Sequence, residues 1–384
     1  MKRRTMLSML PAASMFAPAA KPPQPQNDFK GVVNAGDYPS LQAAANVAFG
    51  PVESPHGTAN VLSNKVLYIP NGVYTPPFSG APVLDLRYLH GGHIVGSGRD
   101  TTRLRQNVAG VPVIRTNGCG YSHFGGFLLE GSPESTILDL NWDGTAGGPA
   151  LQSNSFEDVS FLNGNNGIDI GRSGFMGSEN SFLNCYWQSQ TNAGFRTLNA
   201  NALQQTILGG NFQNCARGIW VQAGSVPVVN GTGFQLSQYA DIQIEQTPSN
   251  KMSVVGCRTE SLNFIINNGG HGMHVSACTQ RSNGAGYFFA ATGGQHVLSA
   301  CETTDGNILA KYWAQIRIEN SGFIREDWLE SYQPWFFPNN SRSSCVEVEN
   351  LTYGWPQKEI RRRRYESTDG LSFNKVSEYL VQVL

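Results

Sequence analysis

The sequence predicts an all-β protein, in which the chain winds as a single right-handed parallel β-helix behind an N-terminal amphipathic capping helix. Three observations predict this fold: charge is scarce, glycine is abundant, and one short apolar run recurs along the chain. Charged residues make up 14% of the 384 residues, and 43 residues are glycine. Glycine is poor in helices, and exposed helical faces need Lys, Glu and Ala, so this composition disfavours a helix-rich protein.

The recurring apolar run indicates a repeat protein. Eight runs begin at Leu138, Ile168, Phe195, Ile219, Ile242, Phe264, Tyr287 and Ile308. Their starts are separated by 30, 27, 24, 23, 22, 23 and 21 residues, so the repeat settles toward a constant length. No unit contains an apolar period long enough for a helix, which disfavours leucine-rich and helical repeats. The repeat therefore predicts one β-helix coil per unit.

Cysteine and asparagine recur at matching places within the units. Five cysteines stand three residues after an apolar residue, at Cys185, Cys215, Cys257, Cys278 and Cys301. Identical residues one coil apart stack at about the 4.8 Å strand spacing, which predicts one interior column of packed thiols. The spacing is also compatible with a single disulfide between stacked neighbours. Asn163, Asn184 and Asn214 follow phenylalanines by two residues and are predicted to form one ladder at a bend.

The two ends of the chain are predicted to lie outside the coil. Residues 1–20 have a basic start, an apolar middle and a small-residue end, the pattern of an export signal of the twin-arginine or the general secretory kind. Residues 21–28 are predicted as a linker, 29–312 as the β-helix with its N-terminal cap, and 313–384 as a C-terminal cap or extension. We expect a periplasmic or extracellular protein, or a virion part if it is phage-derived.

The region before the repeats carries a resemblance to a known family. The segments FKGVVNAGDYPSLQAAANVAFG, KVLYIPNGVYTPP and HIVGSGRDTTRLRQN resemble the beginning of the pectate-lyase-superfamily β-helix domain. Such domains start with a short helix, here about Ser40 to Phe49, whose apolar face can close the open end of the coil stack. Similar domains occur in polysaccharide lyases, glycoside hydrolases, alginate epimerases and phage tailspikes, so the resemblance leaves the chemistry open.

Outward-facing side chains of stacked strands line up in columns, because alternate residues of a strand point away from the core. The repeat predicts two such columns. The first contains Asp139, Asp169, Arg196, Trp220, Gln243, Ile265, Phe288 and Leu309. The second contains Asn141, Gln222, Glu245, Asn267 and Lys311. Their polar members gather in the middle coils, where an extended sugar chain is predicted to lie.

One chemistry that fits these residues is that of a polysaccharide lyase. Asp139, Asp169 and Asn141 supply the oxygen ligands that Ca²⁺ prefers, and the metal would draw charge from a substrate carboxylate. The family resemblance implies that Arg196 or Lys311 then removes the neighbouring proton. Ca²⁺ is the one cofactor that the sequence suggests.

A glycoside hydrolase is the second chemistry. The two aspartates would then act as acid and base or nucleophile, and the separation of their carboxyl groups would set the stereochemical outcome. Glu245 is a further catalytic candidate. Sugar contacts are predicted for Trp220 as a stacking platform and for the side chains of Gln222, Gln243 and Asn267.

The sequence thus predicts an exported enzyme that cleaves an acidic polysaccharide by β-elimination, with hydrolysis as the alternative. A non-catalytic glycan-binding or tailspike-like protein, trimeric in that case, is the alternative from another class, because the same groove suffices for binding. In a purely structural interpretation, Arg196 merely neutralises Asp169. The net charge of −1 gives no general attraction to nucleic acid.

Overall fold

The computed structural model describes residues 31–50, 65–144, 150–175, 177–224, 227–246, 252–269, 272–282, 286–303, 306–310, 314–319, 321, 344–354, 357–367 and 374–383. The chain divides into two units, Met1–Lys30 and Gly31–Leu384, and all described residues lie in the second. The predicted export signal and linker fall outside the described residues. Within the described part of the chain, no helix is long and apolar enough to cross a membrane.

Each coil places strands on up to four faces, and every strand pairs in parallel with its counterpart on the next coil. The first face consists of Val32–Asn34, Val66–Ile69, His93–Gly96, His123–Gly131, Ser155–Asn163, Ser181–Leu183, Thr206–Leu208, Val228–Asn230, Met252–Val255, Met273–Ser276, Gln295–Ser299 and Gln315–Glu319. The second face consists of Gly72–Tyr74, Thr102–Arg105, the later parts of His123–Gly131 and Ser155–Asn163, Tyr186–Gln188, Asn211–Gln213, Gly233–Gln235, Arg258–Thr259, Thr279–Gln280 and Glu302–Thr303. This stacking confirms the predicted right-handed parallel β-helix.

The third face is a separate ten-stranded sheet, and it carries the candidate site. Its strands are Leu84–Asp85, Ile114–Arg115, Thr136–Leu140, Asn166–Ile170, Ala193–Leu198, Arg217–Ala223, Ala240–Ile244, Ile265–Asn267, Tyr287–Ala291 and Asn307–Ala310. A short fourth face joins Leu89–His90, Cys119–Gly120, Leu151–Gln152 and Gly177–Ser178.

The predicted capping helix is present at Leu41–Phe49, after a 3₁₀ turn at Ala35–Asp37. Ser40 begins the helix, because its hydroxyl accepts a hydrogen bond from the backbone N–H of Ala43 at 3.1 Å. The helix turns one apolar side toward the core, with Leu41, Ala44, Ala45, Ala48 and Phe49 buried. Gln42 accepts a hydrogen bond at 2.7 Å from the backbone of Asp85, which ties the helix to the first strand of the third face.

The core is built on stacked aromatic rings. On the second face, the rings of Phe161, Trp187, Phe212 and Phe234 stack with centroid separations of 5.4, 4.2 and 5.1 Å and nearly parallel planes. On the first face, Phe124, Phe156 and Phe182 stack in the same way at 4.7 and 4.9 Å. Parallel pairing in exact register places each ring over its counterpart one coil away, so burial and stacking reinforce the same arrangement.

The predicted single Asn ladder is wrong. Asn163 and Asn214 follow second-face strands, whereas Asn184 follows a first-face strand, so they stand at two different corners. All three have a left-handed φ, at 62°, 54° and 50° respectively, as a tight corner requires. The Phe-x-Asn pattern repeats because both faces end in this kind of corner. The buried amide ladder lies elsewhere, running from Asn154 through Asn180 to Gln205 with side-chain hydrogen bonds of 2.9 and 3.1 Å.

The cysteines are packing residues, but they form two groups. Cys185, Cys257, Cys278 and Cys301 follow first-face strands, while Cys215 follows a second-face strand and therefore leaves the predicted column. All five are buried and free of disulfides. Their thiols donate to backbone carbonyls of the same strand and of the preceding coil, which satisfies the only polar group that each carries.

The parallel pairing continues past residue 312, where the β-helix was predicted to end. Gln315–Glu319 pairs in parallel with Ser344–Gly354. Two antiparallel strands follow, Gln357–Ser367 and Asn374–Val383. Arg363 is buried and forms an ion pair with Glu378 at 3.2 Å. The C-terminal region thus adds two more parallel strands to the first face and then an antiparallel extension.

Candidate functional site

The first predicted column is correct through its five polar and aromatic members. Asp139 pairs with Asp169, which pairs with Arg196, followed by Trp220 and Gln243. The inward neighbours of these residues, such as Leu138 and Ile168, fill the core and fix the register, because a one-residue slip would exchange the two sets. Residues up to 104 positions apart in sequence therefore share one stripe, from Asp139 to Gln243.

Beyond Gln243 the predicted register is wrong for the next two strands, and it is correct again at Leu309, which pairs with Ala290, the partner of Ile266. Gln243 pairs with Ile266, so Ile265 points inward, and Phe288 is buried as well. Asn267 is level with Ile244 and buried, and its side chain accepts a hydrogen bond from the backbone N–H of Gly269 at 3.0 Å. It is therefore not on the outer face. The cause is Phe264, which packs against Phe234 in the core and belongs to the corner before the strand.

The column also extends toward the N-terminus. Asp139 pairs with Arg115, and Arg115 pairs with Asp85. The predicted columns omit these two residues. A signal for them exists, because Leu84-Asp85-Leu86 repeats the Leu138-Asp139-Leu140 run. The stripe thus reads acid, base, acid, acid, base before it reaches Trp220.

Asp169 is the centre of this stripe, and its carboxylate is completely buried. Arg196 donates two hydrogen bonds to it, from Nε to Oδ1 at 2.8 Å and from Nη2 to Oδ2 at 2.7 Å. The Thr136 hydroxyl donates at 2.7 Å, and Arg172 donates at 3.2 Å. Bidentate, charge-assisted bonds of this kind hold a carboxylate as an anion. Asp169 thus belongs to the outward column, but neighbouring side chains cover it completely.

Asp139 has a different environment, although it lies one rung away. Its side chain is 12% exposed, and its Oδ1 has no hydrogen-bond partner among the described residues. The nearest cation is Arg172, with Nη2 at 3.6 Å from that oxygen. Burial raises the pKa of Asp139 to about 6; Arg172 opposes this rise and the Asp169 carboxylate adds to it. A carboxyl group whose pKa is raised in this way can act as a general acid.

Arg172 is a site residue that the column pattern could not find. It lies in the turn after Asn166–Ile170, three residues beyond Asp169, and reaches back over the sheet. Its guanidinium contacts both Asp139 and Asp169, and its side chain is 53% exposed. Sequence spacing predicts neighbours within strands, whereas a long side chain that leaves a turn follows no such period.

Trp220 is half-buried, and it is not an open platform. The Arg217 guanidinium lies 4.2 Å from the centre of its ring and 4.5 Å from that of Tyr239. Arg217 also donates a hydrogen bond to Gln243 at 2.6 Å. A sugar that stacks on Trp220 must therefore displace or share this cation. Tyr239 is exposed and widens the aromatic surface beside it.

The remaining candidates lie apart from the aspartate pair. Glu245 accepts hydrogen bonds from Gln243 and from Asn268, and it lies level with neither Asp139 nor Asp169. Four rungs separate the Gln243 strand from Asp139, or about 19 Å at the strand spacing. Gln222 is half-exposed and falls where the pairing with the preceding strand shifts, at a β-bulge. Lys311 falls outside the described residues.

The predicted calcium ligands do not fit a calcium ion. Both oxygens of Asp169 are occupied by arginine and hydroxyl donors. Asn141 exchanges hydrogen bonds of 2.6 and 2.8 Å with Ser173. The guanidinium groups of Arg172 and Arg196 already lie beside Asp169, and a dication there would add further positive charge. Among the described residues, no group of three or more His, Cys, Asp or Glu is placed to hold a metal ion. We therefore assign no catalytic role to calcium.

This donor set predicts that activity is independent of calcium. Treatment with a chelator, followed by dialysis and calcium addition, should change the turnover rate by less than twofold, because Arg172 and Arg196 already balance the carboxylates. Initial rates before and after chelation give the measurement. Loss of activity on chelation and recovery with calcium would show that the predicted metal site forms after all.

No protein-family model matches this sequence, and no curated protein matches it. Several solved structures of the catalytic domain of GH87 alpha-1,3-glucanase are similar in fold. The domain in complex with nigerose gives a TM-score of 0.47 at 13% identity. Two variants of it, with tetrasaccharides and with nigerose, give 0.48 and 0.49 at 14% identity. Each comparison covers 79% of this chain and 67% of the other. Identity this low transfers no chemistry to this chain.

Proposed function

We propose that this chain is a carbohydrate-active enzyme of the glycoside hydrolase type, which cleaves an acidic polysaccharide lying along the third face. Asp139 carries the proposal. Its carboxyl keeps a proton toward neutral pH, because it is buried beside an ion-paired aspartate, and yet its side chain still reaches the surface. A protonated carboxyl at the surface of a sugar-binding stripe is what a glycosidase requires as its general acid.

Asp169 supports this acid without touching the substrate. Its carboxylate is fully buried, so it has no surface to offer a sugar ring. As an anion one rung away, it repels the ionised form of Asp139 and so favours the protonated form. Arg196 and Thr136 keep it in place. Asp169 and Arg196 are thus positioning residues in this proposal.

The second carboxylate of the reaction is assigned to Asp143. It is exposed and lies four residues beyond Asp139 on the same coil, whereas Asp169 is completely buried and Asp85 is only 12% exposed. Asn117 on the preceding coil holds Asp143 through two hydrogen bonds, of 2.7 Å to its carboxylate and 2.9 Å from its backbone. An exposed carboxylate held in this way can accept a proton from attacking water, as the second carboxylate does in glycoside hydrolysis.

Hydrolysis fits these residues better than β-elimination does. A lyase needs a base. Arg196, one candidate for this role, donates hydrogen bonds from Nε and Nη2 to Asp169. A guanidinium has no acceptor atom, so Arg196 cannot take a proton while it holds this carboxylate. The predicted calcium ligands are occupied as well. Arg196, one of the two residues predicted to remove the proton in an elimination, is therefore not available as a base in this arrangement.

The charge distribution favours an acidic substrate. The carboxylate side chains of the stripe are at most 12% exposed, while those of Arg115 and Arg172 are 40% and 53% exposed. A bound polymer therefore meets guanidinium groups before it meets carboxylates. Guanidinium groups pair well with carboxylate and sulfate groups, so we expect uronic acid or sulfated sugars.

A non-catalytic glycan-binding protein is the second candidate, and one observation favours it. Asp169 is neutralised by two arginines, and Arg217 covers Trp220, so the stripe is also explained as a ladder of ion pairs that stabilises the coil stack. Such a surface could bind an acidic glycan without cleaving it.

An activity panel separates the candidates. The protein is incubated with polygalacturonate, alginate, glycosaminoglycans and neutral glucans, and both reducing ends and the ultraviolet absorbance of unsaturated products are followed. We expect new reducing ends without absorbance on an acidic polymer. Absorbance would instead identify a lyase. Silence in both assays, with retention on an immobilised acidic glycan, would identify a binder.

Export completes the proposal and depends on the sequence of residues 1–20 alone. We infer that these residues direct the chain out of the cytoplasm, where polymeric substrates of this kind are found. Fusion of residues 1–20 to a reporter that is active only after export should yield activity. A reporter that stays inactive would contradict export by this segment.

A further inference from the structure

Arg172 is shared between two carboxylates that depend on it unequally. Its Nη2 lies 3.2 Å from Asp169 Oδ2 and 3.6 Å from Asp139 Oδ1. Asp169 keeps two hydrogen bonds from Arg196 and one from Thr136 if Arg172 moves away. Asp139 keeps none at Oδ1, which is buried without a hydrogen-bond partner among the described residues. If Arg172 moves away, Asp139 therefore loses more of its charge balance than Asp169 does.

Arg172 is also the cation of this cluster that a ligand reaches most easily. Its side chain is 53% exposed, against 18% for Arg196. Arg115, on the other side of Asp139, is 40% exposed and lies 3.9 Å from Asp85. Because ion pairs of an exposed side chain are weak, Arg172 loses little of its contacts at 3.2 and 3.6 Å when it turns to a new partner.

We propose that an acidic group of the sugar pairs with Arg172, and that Asp139 takes up a proton from solvent as the sugar binds. This inference rests on the proposed function, since it names how the acid of that reaction is loaded. No covalent bond of the sugar changes in this step. The proton moves from water or buffer to the Asp139 carboxylate, and the charge that Arg172 no longer balances is removed.

The charges around Asp139 give the sign of the effect. Those that face it are Arg172, Arg115 and Arg196, which lower its pKa, and Asp169, which raises it. Arg172 has the largest effect of these charges, so pairing it with a sugar anion raises the pKa of Asp139 above its value of about 6. The complex then binds more protons than the free protein.

Affinity for the acidic sugar must depend on pH, because binding of the sugar and protonation of Asp139 are thermodynamically linked. It is greatest below the pKa of the free protein, about 6, where Asp139 is protonated in both states. It falls as pH rises through the free and then the bound pKa. Each unit of pKa difference gives about a tenfold change in affinity. Binding of the acidic sugar thus favours the protonated form of Asp139, which is the form that acts as the acid.

Calorimetry measures this proton uptake without any turnover. D-galacturonate and D-glucuronate are titrated into the full chain between the free and the bound pKa, in two buffers of different ionisation enthalpy. We expect uptake of a fraction of one proton per bound uronate. D-galactose and D-glucose should cause none, since they lack the group that pairs with Arg172.

Variants identify the residues. Asp139→Asn should bind uronate without proton uptake, and Arg172→Gln should lose the uptake together with most of the affinity. Arg172→Lys should keep part of both, because it keeps the charge. Arg103→Gln is the matched control: Arg103 shares Glu130 with Arg105 as Arg172 shares Asp169 with Arg196, but it lies on the second face. It should leave uronate binding and proton uptake unchanged.

Three results would overturn the inference: no binding of either uronate, binding with no proton uptake, or uptake that persists in Arg172→Gln. The proposed hydrolysis fails separately. A protein that couples uronate binding to proton uptake but releases no reducing ends would contradict hydrolysis alone. Hydrolysis without proton uptake would contradict the coupling alone.

Discussion

Replacing Asp169 with alanine should lower the free energy of unfolding by about 3–5 kcal/mol, the range for breaking a buried ion pair by removing one partner. The substitution leaves Arg196, which is 18% exposed, without the carboxylate that accepts two of its hydrogen bonds. It also removes the acceptor of the Thr136 hydroxyl and opens a space between two coils. Denaturant unfolding, followed by circular dichroism, measures the change.

The control for this prediction is Glu130→Ala on the second face. Glu130 also receives two arginines, at 2.6 and 3.5 Å, but its side chain is 18% exposed. Water can replace its partners, so we expect a loss of about 1 kcal/mol or less. A loss for Asp169→Ala as small as that for Glu130→Ala would mean that the stripe is a solvated surface and not a buried network.

Replacing Asp139 with asparagine should lower kcat/KM by about 10²- to 10⁴-fold, the usual contribution of a general acid. Asparagine has nearly the same shape and cannot donate the proton. In the wild-type protein, kcat/KM should fall about tenfold per pH unit above about 6, where Asp139 loses its proton. Rates measured between acidic and alkaline pH test both statements.

The same substitution should not destabilise the fold at neutral pH. The pKa of Asp139 is raised in the folded state, so its contribution to stability is present below its ordinary pKa and is lost as pH rises through about 6. Above that pH the ionised carboxyl opposes folding, and asparagine removes this cost. Retained activity in Asp139→Asn with unchanged stability would move the acid to another residue.

Much of the fold could be predicted because it is repetitive. The coil length and the recurring apolar run from Leu138 onward both reflect one constraint, the stacking of similar units. The prediction of a single Asn ladder and a single Cys column was wrong, because the same short sequence pattern can end a strand of either the first or the second face. Phe182 and Phe212 precede the same Asn-Cys pattern but end different faces, and only the three-dimensional register separates them.

The candidate site was predictable only within strands. Asp139, Asp169 and Arg196 follow the period of the coil, so the sequence brings them together. The burial of the two carboxylates could not be predicted from the sequence. It depends on Arg172, whose side chain extends from a turn and covers Asp139 and Asp169 from outside. The predicted register at Asn267 is wrong because Phe264, Ile265 and Ile266 form one apolar run in the sequence, whereas Phe264 belongs to the corner before the strand.

The carboxyl titration of Asp139 is the most direct test of the proposed site. Carbon-detected NMR of the wild-type protein, with the signal assigned by its absence in Asp139→Asn, follows this group alone and needs no substrate. We expect a midpoint near pH 6, because burial raises the pKa of Asp139 to about 6. A midpoint near the ordinary value of about 4 would contradict the proposal, since Asp139 would then be ionised at neutral pH and could not act as the acid.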